Sequence, residues 1–255
     1  MKSINERQKK ILELLDASGY LSVQDLSESM KVSLVTIRKD LNYLEESELL
    51  FRTHGGASKQ ARYAFEQNVH EKENIMVDEK KRIAEKAFEY VSNNDFIIMA
   101  SGTTIHFLAR IITGFSGLTV LTPSLRVGLE LARESTVNTV HLGGELRKSS
   151  TSTVGAMAEK TLADFSCNKL FLGVDGIDLD FGISTSNASE AHLNQKMIEH
   201  SEKVIVLADS SKIGKRGFGR IAGIDQIDVL ITDSQIDPHF VTRLEEKGVE
   251  VVVCK

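Results

Sequence analysis

Apolar residues recur at helical spacing through the first fifty positions and then gather into short continuous runs. Ile11, Leu14 and Leu15, with Lys9, Lys10 and Glu13 opposite, predict a helix over Glu6–Asp16 that Gly19 ends. Ser22 is placed to cap a second helix, Val23–Met30, whose Val23, Leu26 and Met30 share one face. After a Lys31-Val32 corner, Ser33 opens a third helix carrying Ile37, Leu41 and Leu44. Leu49–Arg52 then reads as a strand and Thr53-His54-Gly55-Gly56 as a tight turn. Seven apolar runs follow: Phe96–Ala100, Leu118–Thr122, Thr139–Leu142, Lys169–Val174, Lys203–Ala208, Asp228–Thr232 and Val249–Cys254. Amphipathic patterns near 78–91, 104–113, 125–135, 154–165, 189–201 and 237–248 alternate with them. Unbroken Ile/Val/Leu runs alternating with helices predict a parallel sheet covered on both faces.

The expected fold class is α/β: a small helical module with a strand-turn hairpin, followed by a mainly parallel α/β domain. The expected boundaries are 1–57 for the first domain, 58–77 for a polar linker and 78–255 for the second. Charge follows the same division. The formal net charge is −5, yet residues 1–60 carry equal numbers of acidic and basic side chains, so the acidity belongs to the rear of the chain. Its overall sign argues against a polybasic coat, but a neutral front module can still place cations locally. Cys167 and Cys254 are too few for a disulfide framework or a cysteine zinc site, and the seven histidines lack metal-ligand spacing. No metal or cofactor is expected. Without a signal core or an apolar stretch near the length of a membrane span, the expected location is the cytoplasm.

The third helix opens with Leu34, Val35, Thr36, Arg38 and Lys39, several of which cannot face the core that Ile37 and Leu41 face. Cations near a helix N-terminus are disfavoured by its dipole. A DNA major groove supplies a reason for them, with hydroxyls and cations on phosphates or guanine edges and apolar groups on thymine methyls. Two short helices, a corner and a reading helix make a helix-turn-helix, and the hairpin behind it a wing. The alternative is a plain helical cap with solvated cations.

In a parallel sheet the residues just after each strand line the ligand crevice. Ser101-Gly102-Thr103-Thr104 leads from strand to helix with hydroxyls and free N–H groups, an anion site that lacks the pattern of a nucleotide P-loop. Asp175 and Asp178 bracket Gly176, and Glu190 follows at the head of a helix; such carboxylates bind sugar hydroxyls, move protons or ligate metals. Asp209-Ser210-Ser211-Lys212 ends another strand and brings Lys212 to the same rim. A hydroxyl nest, a cation and carboxylates together suit a phosphorylated polyhydroxy compound. Each turn also has an ordinary capping explanation, and Lys212–Gly217 reads either as a second anion loop or as a mobile one.

Thr36-Ile37-Arg38-Lys39-Asp40-Leu41, Leu44-Glu45 and Arg52-Thr53-His54-Gly55-Gly56-Ala57 resemble the N-terminal signature of the DeoR family of bacterial transcriptional regulators. The resemblance implies that Ser33, Thr36, Arg38 and Lys39 face operator DNA, with Arg52, His54, Gly55 and Gly56 in the wing. Ser101–Thr104, Gly143-Gly144, Gly155, Asp175–Asp178, Glu190 and Asp209–Lys212 are similar to that family's sensor domain, which in turn resembles ribose-5-phosphate isomerase. It implies that Ser101, Gly102, Thr103, Thr104 and Lys212 hold an effector's phosphate, while Asp175, Asp178 and Glu190 lie where the isomerase keeps its carboxylates. Three departures stand out. Glu48 replaces the usual glycine after the reading helix, Phe181–Thr185 replaces the isomerase's Lys-Gly-Gly-Gly stretch, and Thr122-Pro123-Ser124 lacks the usual asparagine. The missing lysine removes support for a developing enediolate.

The expectation is a non-enzymatic DNA-binding regulator, a homo-oligomer repressing a sugar-utilisation operon. It would bind double-stranded operator DNA under control of a phosphorylated sugar effector, without a membrane partner. A sugar-phosphate isomerase with an accessory helical domain is the alternative, and a sugar-phosphate binder with a protein-docking front is the third reading.

Overall fold

A computed structural model describes residues 4–18, 20–47, 49–52, 56–58 and 68–255. The chain divides into two compact units, Met1–Tyr63 and Ala64–Lys255.

The front unit runs α1 (Glu6–Ser18), β1 (Tyr20–Ser22), α2 (Val23–Met30), α3 (Leu34–Glu46), β2 (Phe51–Arg52) and β3 (Gly56–Ser58). Asn5 and Gln8 start α1 reciprocally, each side chain accepting from the other's backbone N–H at 2.9–3.0 Å. Ser22 and Ser33 cap α2 and α3 as expected, accepting from Asp25 N and Thr36 N. Between them Lys31 is left-handed (φ 53°), and the Ser27 hydroxyl donates to the Val32 carbonyl at 2.6 Å, closing the corner. Ile11, Leu15, Leu26, Ile37, Leu41, Leu44 and Leu50 fill the core.

A buried carboxylate fixes the attitude of α3. Asp40 receives Arg7 Nε at 2.5 Å, Arg7 Nη2 at 3.2 Å and Gln8 Nε2 at 3.1 Å, so α1 and α3 are joined by charge-assisted bonds as well as by packing. The three strands pair antiparallel in the order β1-β3-β2; the three-residue β1 is too short to leave a periodic signal in the sequence. Gly56 is buried in that pairing. A Cβ there would lie 2.0 Å from the Leu21 carbonyl oxygen, so strand packing alone demands glycine. Gly19, Glu48, Thr53, His54, Gly55, Tyr63 and Phe65 lie outside the described residues.

The rear unit contains α4 (Val69–Glu73), α5 (Val77–Phe88), β4 (Phe96–Met99), α6 (Thr103–Ile111), β5 (Thr119–Thr122), α7 (Leu125–Leu131), β6 (Asn138–His141), β7 (Glu145–Arg147), β8 (Ser152–Val154), α8 (Ala156–Leu162), β9 (Lys169–Gly173), β10 (Gly176–Asp178), β11 (Gly182–Thr185), α9 (Ala188–Glu199), β12 (Val204–Leu207), β13 (Gly219–Ala222), β14 (Val229–Asp233), α10 (Pro238–Glu245) and β15 (Glu250–Cys254). The seven strands that carry the predicted apolar runs form one wholly parallel sheet, β15-β14-β12-β9-β4-β5-β6. Alternate residues of its strands feed two cores. Ile98, Leu170, Val206 and Leu230 meet the helices that carry Ala158, Leu193 and Leu244, while Ile97, Phe171, Ile205 and Ile231 meet those that carry Ile83, Ile105 and Val127. This is the sandwich the unbroken apolar runs predict. Two smaller antiparallel groups, β7-β8 and β10-β11-β13, are insertions that three- and four-residue strands did not announce.

The expected linker 58–77 needs correction at its C-terminal end. Asn68 caps α4, whose Val69 N donates to the Ser149 carbonyl at 2.7 Å, so this polar stretch is part of the rear unit. It looks like linker because α4 is held chiefly by polar contacts. No helix among the described residues is long and apolar enough to cross a membrane.

The Asp40 clamp gives a first test. Asp40→Ala leaves Gln8 and Arg7 without their acceptor, and should destabilise the front unit by about 2 kcal/mol. Urea unfolding followed by circular dichroism should show an earlier loss of helix; an unchanged midpoint would mean that packing alone orients α3.

Candidate functional site

On the front unit, the residues of α3 that avoid the core form a continuous exposed stripe: Leu34, Val35, Arg38, Lys39 and Asn42. Val35 is 59% exposed, costly for a β-branched residue at the start of a helix unless something covers it. Ser33 and Thr36 join through their hydroxyls at 2.9 Å at the same end. Arg38 and Lys39 point outward with no acidic neighbour on the stripe until Glu45 and Glu46. Arg52, half-buried, donates from Nη1 to the Arg38 carbonyl at 3.3 Å and from its backbone N to Glu45. Burial lowers its pKa, with Glu45 opposing and Arg38 adding to the shift. It therefore ties the hairpin strand to α3. Of the remaining wing residues, Gly56 is buried, and His54 and Gly55 fall outside the described residues.

On the rear unit, numbering the seven parallel strands in chain order gives 3-2-1-4-5-6-7 across the sheet. The order reverses between β4 and β9, so the connections leaving these neighbours diverge and open a crevice at their carboxyl ends. A cavity occupies that crevice. Ser101–Thr104 line it from the end of β4, Gly173–Asp175 from the end of β9, and Asp209 and Lys212 from the end of β12. Gly102 adopts φ 134°, a conformation side-chain-bearing residues rarely adopt, and turns the chain directly into α6. The first N–H groups of that helix have no carbonyl four residues behind them. Thr103 and Thr104 are more than nine-tenths buried, yet among the described residues their hydroxyls have no hydrogen-bond partner.

The carboxylates are partnered. Glu190, at the head of α9, receives Ser101 Oγ at 2.6 Å on one oxygen and Arg147 Nη1 at 2.6 Å on the other. Asp175 receives Lys72 Nζ at 2.5 Å and the Ser186 backbone N–H at 3.0 Å. The Thr185 hydroxyl lies between them, 3.1 Å from Asp175 and 3.0 Å from Glu190, with one proton to give. Lys80, only 2% exposed, donates to the carbonyls of Lys72 and Ile75 and stands 3.7 Å from Asp209. Burial depresses its pKa; Asp209 opposes the shift and the Lys212 charge adds to it. Asp209 in turn accepts from Ser211, starting the short 3₁₀ turn that presents Lys212. Lys212 has no carboxylate within salt-bridge distance among the described residues.

Seven of the eight effector-site expectations thus meet in one cavity: Ser101, Gly102, Thr103, Thr104, Asp175, Glu190 and Lys212. Asp178 does not line it. Its Oδ1 accepts the Asp180 and Phe181 N–H groups and Arg216 Nη2 at 2.7 Å, and Arg216 also stacks over Phe181. Burial alone would raise its pKa, but those bonds hold it low. Because Gly176 and Asp178 lie in one strand, the chain leaves the crevice after Asp175, and Asp178 closes a hairpin instead. The Lys212–Gly217 loop is pinned to that hairpin, with Gly214 N donating to Ile177 O at 2.8 Å. Lys72, Lys80, Arg147 and Thr185 were not anticipated. A signal existed for Lys80, which stands three residues before Ile83 on the apolar stripe of α5, a position that buries its amine.

A helix-turn-helix reader joined to an α/β unit with a ligand crevice is the plan of a ligand-responsive DNA-binding regulator. The sequence profile of the DeoR-like helix-turn-helix domain matches residues 7–61, and that of the DeoR C-terminal sensor domain matches residues 75–234. The chain belongs to the DeoR family. It is 40% identical to the HTH-type transcriptional regulator YulB of Bacillus subtilis, covering 97% of this chain and 96% of that one. It is 29% identical to the glycerol-3-phosphate regulon repressor of Escherichia coli K12, over 98% of both. The lactose phosphotransferase system repressor of Staphylococcus epidermidis is 32% identical, over 90% and 92%. Among solved structures, ribose 5-phosphate isomerase A of Neisseria gonorrhoeae aligns over 53% of each chain with 23% identity and a TM-score of 0.39. The whole-length relatives are regulators, and the chain is a transcriptional regulator rather than an isomerase.

Asp175 supplies a pH test. Burial alone would raise its pKa; Lys72, the nearby Lys212 and the Ser186 N–H outweigh this and hold it at about 2. A carboxylate depressed on folding adds stability above its unfolded pKa near 4, and this is lost as pH falls toward 2. Wild type should exceed Asp175→Asn by about 2 kcal/mol at pH 6, and the gap should close between pH 4 and pH 2. Urea midpoints across that range read it; a gap independent of pH would rule out the ion pair as its source.

Proposed function

We propose that this regulator acts in the cytoplasm as a homo-oligomeric repressor of a sugar-utilisation operon. A phosphorylated sugar in the rear cavity would relieve its hold on operator DNA. The observation that carries the effector reading is the combination within one crevice of buried, partnerless threonine hydroxyls at a helix start, a lysine without a carboxylate partner, and carboxylates for hydroxyls. Two relatives, named as repressors of a glycerol-3-phosphate regulon and of a lactose phosphotransferase system, agree with it. The phosphate lies against Ser101–Thr104 and Lys212, where the helix dipole and a cation favour it. The sugar hydroxyls face Asp175 and Glu190.

On the DNA side, Ser33, Thr36, Arg38 and Lys39 enter the major groove, with Leu34 and Val35 against thymine methyls. Arg52, His54, Gly55 and Gly56 form the wing; Arg52 acts by holding the hairpin to α3, and Gly56 by allowing the strands to pair. Effector binding changes operator affinity only if its free energy differs between DNA-competent and incompetent arrangements of the oligomer.

Two measurements test this. DNA fragments selected by the wild-type protein should lose at least about tenfold affinity with Arg38→Ala or Lys39→Ala. If that cation touches phosphate, the salt slope should fall by about one. Unchanged affinity in both variants would remove α3 as the reader. A thermal-shift screen of sugar phosphates should find a stabilising compound that also weakens DNA binding, and Lys212→Gln should abolish both effects. A compound panel without effect on melting or on DNA binding would sink the effector reading.

A further inference from the structure

The charges lining the cavity go further than the ligand class. Four cations face it, Lys72, Lys80, Arg147 and Lys212, against three carboxylates, Asp175, Glu190 and Asp209. Each carboxylate is matched to a cation: Asp175 to Lys72 at 2.5 Å, Glu190 to Arg147 at 2.6 Å and Asp209 to Lys80 at 3.7 Å. Arg147 lies in β7, Lys80 in α5 and Glu190 in α9, while Asp175 and Asp209 stand just after β9 and β12. The pairing leaves a single set of unmatched donors. It comprises Lys212, the first N–H groups of α6 and the partnerless hydroxyls of Thr103 and Thr104. Arg147, Glu190, Thr185, Asp175 and Lys72 share hydrogen bonds in a cluster that is neutral in sum, and the Ser101 hydroxyl ties it to the start of α6 through Glu190.

We infer that the Arg147–Glu190 pair is a specificity device that restricts the effector to a single phosphate group. This rests on the sugar-phosphate reading above and adds to it. A phosphomonoester places its dianion against the unmatched donors and its hydroxyls against the paired carboxylates. A bisphosphate of the same carbon skeleton must bring a second dianion against Asp175 and Glu190. The charge of Arg147 is already matched by Glu190, and a phosphate that drew it away would leave Glu190 a buried carboxylate facing an anion. Glu190 is thus an element of rejection as well as a hydroxyl acceptor. Replacing it by an isosteric amide removes one negative charge, preserves the side chain's shape, and leaves the charge of Arg147 without its carboxylate.

The experiment compares matched pairs by calorimetry on the full-length protein: fructose 1-phosphate and fructose 6-phosphate against fructose 1,6-bisphosphate, and ribulose 5-phosphate against ribulose 1,5-bisphosphate. Wild type should prefer the better monophosphate of a pair by at least about tenfold. In Glu190→Gln the ratio of bisphosphate to monophosphate affinity should rise by at least about tenfold, and the gain should shrink with added salt. Should Glu190→Gln fail to fold, the wild-type ratio alone decides. Equal or tighter binding of the bisphosphate by wild type overturns the inference while leaving the sugar-phosphate reading intact. A ratio unmoved in folded Glu190→Gln overturns the role of the pair. If neither member of any pair, nor any other sugar phosphate screened, binds, the sugar-phosphate reading itself fails and takes this inference with it.

Discussion

The rear unit depends on one topological constraint, the reversal of strand order between β4 and β9. On either side of it, consecutive strands are neighbours and their connections run in one direction. At the reversal, successive connections go opposite ways and the edge stays open. The crevice is therefore a consequence of how a right-handed parallel sheet is wound, before any side chain is chosen. The side chains then decide what it holds. Gly102 allows α6 to begin at the strand end, which aims its first N–H groups into the opening, and Asp209 starts the turn that brings Lys212 across from them.

This constraint also explains which parts of the site were legible in the sequence. Residues directly after a strand must lie at the carboxyl edge, so Ser101–Thr104, Asp175 and Lys212 could be assigned from apolar runs alone. The seven runs were legible because a strand buried on both faces cannot alternate; each must be apolar throughout. Asp178 escaped the rule because an antiparallel hairpin begins at Gly176 and carries it out of the crevice. Strands of three residues give no period, and β1, β7, β8 and β10 passed unseen for that reason. Lys72 and Arg147 were hidden differently. They reach the cavity from a five-residue helix in a polar stretch and from a hairpin inserted between β6 and α8, positions that only tertiary packing relates to the sheet edge.

The front unit shows the same division between residues that build and residues that read. Within the run 36–41, Ile37, Asp40 and Leu41 face inward, and Asp40 fixes α3 to α1 through Arg7 and Gln8. Arg38 and Lys39 face out. A motif that looks uniform in sequence is thus two interleaved sets, one setting the angle of the helix and one left to meet a partner. Gly56 belongs to the first set, since β3 could not pair with β1 if it carried a side chain.

Charge placement joins the two units in one argument. A chain with a net charge of −5 binds polyanions only where its cations are locally uncompensated. On α3, the one acidic residue beside the cations, Asp40, is buried and paired with Arg7, and the exposed acidic residues are held back to Glu45 and Glu46 at the far end of the helix. In the crevice, distance is not available, because seven ionised groups share one small cavity. There, compensation is selective: three ion pairs cancel, and what survives is a single cation beside a helix start. Pairing the others both lowers the cost of burying them and leaves the attraction for an anion to the unmatched cation. Net charge is therefore a poor guide to what either surface binds; the position of the unmatched cation is the better one.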